Sequence, residues 1–252
     1  MSIAHAPRFE PHVALVALPA LVACKPDSPP ARADRAVANT SAARPRQATL
    51  PALTNTNALI IGVQLRAEMA WNDATAVNTP EAWDLAADLF ARAAAACRVE
   101  CSELAYATVL ARSSAIKSDA TLVRPDEKPT EPQPLPVRVE AFIDAADSYV
   151  ATAPAGDEDA IGVSFLAGQK YNDYGWIDES TTRFGTIVLA NPTAEVALYS
   201  ANLMLDAFNR SERYDDMLRW ARDLQANAAL MAAYPELAEL VAELLARAAR
   251  AN

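Results

Sequence analysis

Between Ile161 and Pro192 the chain reads IGVSFLAGQKYNDYGWIDESTTRFGTIVLANP, and this stretch constrains the fold more than any other. Apolar residues recur at helical spacing on both sides of Gly175, which predicts two amphipathic helices joined by a tight turn. Gly168, three residues before Tyr171, lets the two helices approach. Tyr171 and Phe184 are expected to fill the gap between them. Ile177 opens the second helix, with Glu179 in its first turn and Ile187 a full turn or more beyond. Pro192 closes the unit, because proline cannot continue a helix. The whole is a helix–turn–helix of about 34 residues.

The neighbouring sequence carries the pattern again. After Pro192 comes ALYSANLMLDAFNRSERYDDMLRWARDL, where Tyr214 opens a second helix as Ile177 does. The spacing between the two units is longer by about three residues than the usual period, and Met217 and Ala221 stand where small and aromatic residues are usual. Upstream, Trp83, Ala86, Ala87, Phe90 and Ala93 form one stripe on a helix running from Pro80 to Ala96. Trp83 and Phe90 keep the spacing of Ile177 and Phe184, so this helix looks like the second half of an earlier, degenerate repeat. On these residues the chain resembles the tetratricopeptide family over roughly 139–224. It departs from the family at Ser164, where a bulky residue is usual, and at Ser180, where alanine is. The resemblance implies an all-α fold of tetratricopeptide-type repeats forming a short α-solenoid, preceded by a signal and tether segment. Such a scaffold binds proteins, but the repeat does not name the ligand.

The remaining helices follow from periodicity. One is expected from Ala58 to about Asn72, and another begins where Ser102 caps it, with Leu104, Ala105, Ala107, Thr108, Leu110 and Ala111 on or near its buried side. Val139, Phe142, Ile143, Ala146, Tyr149 and Val150 make a further stripe that Pro154 ends. The last helix runs from Pro235 to about Arg250; Leu237, Leu240, Val241, Leu244 and Leu245 face inward, and its polar outer side suits the cap of a stack. Between the blocks, ATLVRPDEKPTEPQPLP has five prolines and reads as an extended linker. The predicted organisation is a signal segment over 1–23 and a Pro/Ala/Arg-rich tether over 24–57. A helical block over 58–119, a proline-rich linker over 120–136, and repeats with a capping helix over 137–252 follow. Whether the two helical blocks pack together is not legible in the sequence.

Val13 to Ala23, VALVALPALVA, is too short an apolar run to span a bilayer and fits the core of a secretory signal. It ends in Leu21-Val22-Ala23-Cys24, which resembles the bacterial lipobox. That resemblance implies a lipidated Cys24 at the mature N-terminus, and Lys25 after it implies the outer membrane. The alternative is a plain secretory signal and a soluble periplasmic protein. Lys25, Arg32, Arg35, Arg44 and Arg46 make the tether basic, so the body is more acidic than the whole-chain charge of −10. Such a charge disfavours binding to nucleic acid. The two histidines, His5 and His12, both lie in the leader, and no phosphate loop, GxSxG elbow or CxxC pair is present. No catalytic residue, metal site or cofactor is therefore expected, and the chain does not read as an enzyme. Cys97 and Cys101 flank a turn; they either close a short disulfide or remain as two half-buried thiols.

Repeats, capping helix and lipobox together resemble tetratricopeptide-containing bacterial outer-membrane lipoproteins. The resemblance implies a non-catalytic adaptor that holds a protein or peptide partner at the periplasmic face; the alternative is a structural subunit of a larger envelope-assembly or motility complex. In that repeat geometry the first helix of each unit lines a concave groove. Its candidates are Phe165, Gln169, Asn172 and Asp173, then Tyr199, Asn202, Asp206, Asn209 and Arg210. Asn202, Asp206 and Asn209 sit at i, i+4 and i+7 and share one helix face. Asparagine amides can donate to and accept from an extended peptide backbone; the other reading of these residues is helix capping and solvation. If Cys24 is acylated, Cys24→Ser should leave the membrane fraction or remain unprocessed. Metabolic labelling of the unaltered chain with a fatty-acid probe checks this, and absence of label would end the idea.

Overall fold

In the computed structural model, residues 55–97, 101–122, 125 and 128–251 are described, with side chains from Gly62 to Arg250. The expected leader, the lipidation at Cys24 and nearly all of the tether lie outside them. The described residues form ten helices and no strand. In order these are α1 (Asn55–Val77), α2 (Pro80–Ala96), α3 (Ser102–Ser118), α4 (Val137–Thr152) and α5 (Glu158–Asp173). Then come α6 (Ile177–Ala190), α7 (Glu195–Arg210), α8 (Tyr214–Ala226), α9 (Ala228–Ala233) and α10 (Pro235–Ala251). Each helix packs on the next, as in an α-solenoid, and α5 also touches α7.

Local chemistry sets the helix ends. Thr79, Asp157 and Asn227 accept from the backbone N–H groups of Ala82, Ala160 and Leu230, satisfying donors that have no partner within the helix. Pro80 and Pro235 occupy first positions, where the missing N–H costs nothing. Asn78 takes a left-handed φ of 51° after α1 and accepts from the Trp83 indole at 3.0 Å, which fixes the α1–α2 turn. Ser102 is not the cap expected of it: it is the first residue of α3, and Cys101 stands before it. Cys101 is bonded to Cys97, so the sulfur bridge holds the α2–α3 turn where a hydroxyl cap was expected. On α3 the expected inward Leu110 is exposed, and Val109 is buried in its place with Ala105, Thr108, Ala111 and Ile116.

Three apolar clusters run along the stack and hand over at shared helices. Trp83, Ala86, Ala87, Ala111 and Ala115 join α1, α2 and α3. Val109, Ile116, Val139, Phe142, Ile143, Tyr149 and Val163 join α3, α4 and α5. Phe165, Phe184, Met204, Phe208, Leu224, Leu237 and Val241 carry the core from α5 to α10. The second cluster crosses the proline-rich segment, so α3 and α4 pack directly on each other. The alanine-rich helices have little area to bury, and charge supplements them. Arg138 of α4 bonds Asp84 and Glu81 of α2, each at 2.9 Å, and also Asp119; Arg112 of α3 meets Asp84 at 2.9 Å and Asp88. The hydrogen bond to Asp84 leads the effects that raise the Arg138 pKa above its ordinary value. Hydrogen bonds from Thr121 and then Arg138 hold the Asp119 carboxyl below the usual aspartate value.

The central unit packs small residues against large ones. A Cβ on Gly168 would lie 2.8 Å from the Phe184 ring, and one on Gly185 would lie 2.3 Å from the Trp220 indole. Phe184 is wholly buried, but its ring partner is Phe165, with centroids 5.8 Å apart. Tyr171 lies instead beside Trp176 and under the Arg183 guanidinium. Buried Ser180 takes the place of alanine at little cost, because its hydroxyl donates to the Ile177 carbonyl at 2.9 Å. Phe184→Ala should destabilise the chain by about 3–5 kcal/mol, the range for a buried aromatic. Urea titration measures it, and a loss under about 1 kcal/mol would contradict the packing described.

Candidate functional site

The proline-rich segment does not simply link the helical blocks. Residues 128–136 run extended across the α5–α6 turn and on to the end of α7. The Gln133 N–H donates to the Tyr174 carbonyl at 2.8 Å, and the Trp176 indole N–H donates to the Gln133 carbonyl at 2.7 Å. One residue of the segment is thus held through both its backbone groups. Between those partners Gly175 has φ +76°, and a Cβ there would lie 2.3 Å from the Glu131 carbonyl oxygen. Glycine is required twice over: by the left-handed turn and by the backbone lying on it.

Further along, Arg210 at the end of α7 joins three elements. Its guanidinium donates to Asn172 Oδ1 on α5 at 2.7 Å, to Asp206 Oδ2 one turn back at 3.0 Å, and to the Lys128 carbonyl at 3.2 Å. Asn172 is wholly buried, and among the described residues its Nδ2 donor has no hydrogen-bond partner. The sequence-expected groove residues Asn172, Asp206 and Arg210 are therefore brought together, but they bind each other and the chain's own segment.

The other groove candidates separate into two groups. Phe165 is 8% exposed and packs between Phe184 and Tyr199, so it is a core residue and not the open apolar contact expected. The reason is the contact between α5 and α7, which covers the face that a single helix hairpin would leave open. Tyr199 stays half-buried, its hydroxyl donating to Glu195 at 2.7 Å. The Asn202 amide donates to the Leu198 carbonyl of its own helix at 3.1 Å. Gln169, Asp173 and Asn209 are half-buried along the same helices. Sequence reasoning missed Tyr174, Trp176 and Gln133. The available signal was a tryptophan directly after a turn glycine, in a chain with a long proline-rich segment elsewhere.

A separate cleft of ≈ 430 Å³ lies where α2, α3 and α4 meet, floored by alanines such as Ala94, Ala105 and Ala145. Asp144 and Arg112 also line it, with Cys101 among its walls. Among the described residues no group of three or more His, Cys, Asp or Glu side chains could hold a metal ion, and no helix is long and apolar enough to cross a membrane.

Arg210→Met keeps the aliphatic stem and removes three charge-assisted donors. It should cost about 2–3 kcal/mol, since buried Asn172 then loses its acceptor's partner as well. Chemical denaturation of the variant against the parent measures the loss; a change within about 0.5 kcal/mol would mean that the cluster is ornamental to the fold.

No family model, curated protein or solved structure matches this chain.

Proposed function

We propose that this chain is a non-catalytic, tetratricopeptide-type scaffold that holds a protein partner at the periplasmic face of a bacterial outer membrane, tethered through a lipidated Cys24. The observation that carries the reading is the contact of α5 with α7 in addition to α6. Where first helices of successive units touch each other, their outer sides line one continuous surface, which suits an extended ligand. The spacing of Gly168, Gly175, Phe184 and Pro192 supports the repeat type. The disulfide between Cys97 and Cys101 supports an oxidising compartment outside the cytoplasm.

The half-exposed residues of that surface are Gln169, Asp173, Tyr199, Asn202 and Asn209. With an acidic body, the preferred ligand carries lysine or arginine, and its binding weakens as salt rises. Crosslinking in intact cells followed by mass spectrometry identifies the partner and maps where it sits. Asn202→Ala combined with Asn209→Ala should then reduce its affinity about tenfold or more if these amides bond its backbone. Helicity by circular dichroism must stay intact in that variant. Unchanged affinity with an intact fold would assign the two asparagines to their own helix, and a partner recovered in fixed ratio from membranes would favour a permanent structural subunit.

A further inference from the structure

We propose that the surface over the α5–α6 turn is a docking site for a proline-rich, extended segment of a partner protein, and that residues 128–136 occupy it in cis. The inference deepens the scaffold reading and rests on it for the existence of a protein partner. What it adds is the chemistry of the segment recognised.

The first argument is the length of the loop. Antiparallel neighbours in a helical stack are joined by about 2–8 residues, whereas 119–136 is more than twice that. The two ends of the segment are already together: Asp119 pairs with Arg138, and Leu122 and Leu135 pack on the same apolar cluster. A short turn there would connect α3 to α4. The excursion between the pinned ends therefore does not serve connectivity, and what it reaches is the Tyr174–Trp176 turn and Arg210.

The second argument is how the segment is held. From Lys128 to Pro134 the body holds the segment by its main chain, at the Gln133 N–H, the Gln133 carbonyl and the Lys128 carbonyl, while Leu135 packs on the apolar cluster of α3 to α5. Its own side chains from Thr130 to Pro134 are exposed. Gln133 stands between Pro132 and Pro134, which have no N–H to satisfy, so the single donor in that triplet is the one that is used. Pro136 has φ −60° and ψ 144°, the polyproline II conformation. A tryptophan N–H bonded to a carbonyl between prolines, beside an arginine that takes a second carbonyl, is chemistry that reads an extended proline-rich backbone with little regard to its other side chains. A segment of that kind with an apolar residue in the place of Leu135 can replace the resident one.

A tethered competitor at an effective concentration on the order of 1 mM, set against a free affinity on the order of 100 μM, weakens an incoming ligand about tenfold. The probe is the synthetic peptide PTEPQPLP, titrated by calorimetry into the body with residues 128–135 replaced by a glycine–serine run of equal length. The opened chain should bind it about tenfold more tightly than the unaltered chain. Trp176→Phe in the opened chain should lose most of that affinity while keeping the ring's packing. A peptide with alanine at its proline positions should bind much more weakly. A milder variant, Pro129→Ala with Pro132→Ala and Pro134→Ala in the full chain, keeps the loop's length and should bind the peptide more tightly than the parent if the opened chain does not fold. Equal binding by all chains, or none by a variant with native helicity, overturns the proposal. So does dimerisation of the unaltered chain by exchange of the segment, which would assign the surface to a second copy. Partner crosslinks that persist on the body after such a result would leave the scaffold reading standing and remove this inference alone.

Discussion

The ring of Phe184 occupies the space that a side chain on Gly168 would need, and that contact sets how closely α5 and α6 approach. Much else depends on the resulting distance. With the two helices this close, Phe165 is driven against Phe184 on one side and Tyr199 on the other, so α7 is drawn onto α5. Gly185 repeats the device one helix later by admitting the Trp220 indole. At each glycine a large ring from another helix fills the space that a side chain would take, Phe184 of α6 over Gly168 and Trp220 of α8 over Gly185.

The amino-terminal half solves the same problem by other means. Alanine at Ala86, Ala87, Ala93, Ala111 and Ala115 permits close approach but buries little area per residue. Helices that meet through alanine have few side-chain features to fix their register. Arg138 and Arg112 supply it, converging from α4 and α3 on the carboxylates of α2. Partly exposed ion pairs add modest stability singly, yet a shared Asp84 between two arginines ties three helices at one point. The Cys97–Cys101 bridge joins α2 and α3 at the opposite end of that pair.

Periodicity made the helices legible. The stripe Trp83, Ala86, Ala87, Phe90 and Ala93 on α2, and Val139, Phe142, Ile143, Ala146 and Tyr149 on α4, are buried as their spacing implied, whereas Val150, expected in the same α4 stripe, is exposed. What could not be read was the pairing between elements far apart in sequence. Phe165 looks like a groove residue when α5 is considered with α6 alone; only the approach of α7 makes it core. Tyr171 and Phe184 are both apolar and both inward by spacing, but Phe184 lies over Gly168 and pairs with Phe165, leaving Tyr171 to Trp176 and Arg183. The short helix Ala228–Ala233 has too few residues to show a period at all. The candidate site divides along the same line: Asn172, Asp206 and Arg210 were named from helix position, while Gln133, Tyr174 and Trp176 needed the fold to bring them together.

A stack in which each helix meets mainly its neighbours is built from contacts close in sequence, a topology that forms quickly because short loops close at little entropic cost. The proline-rich segment is different in kind. Lys128 and Arg210 are 82 positions apart, and Gln133 and Trp176 are 43 apart. The Gln133–Trp176 bond needs the α5–α6 turn in place, and the Lys128–Arg210 bond needs the end of α7, so each closes a large loop of chain. A nearest-neighbour array frays from its ends inward. Here a long-range stitch bridges its interior, adding to the aromatic packing of α5 to α7 a set of contacts that fraying from either end does not reach first.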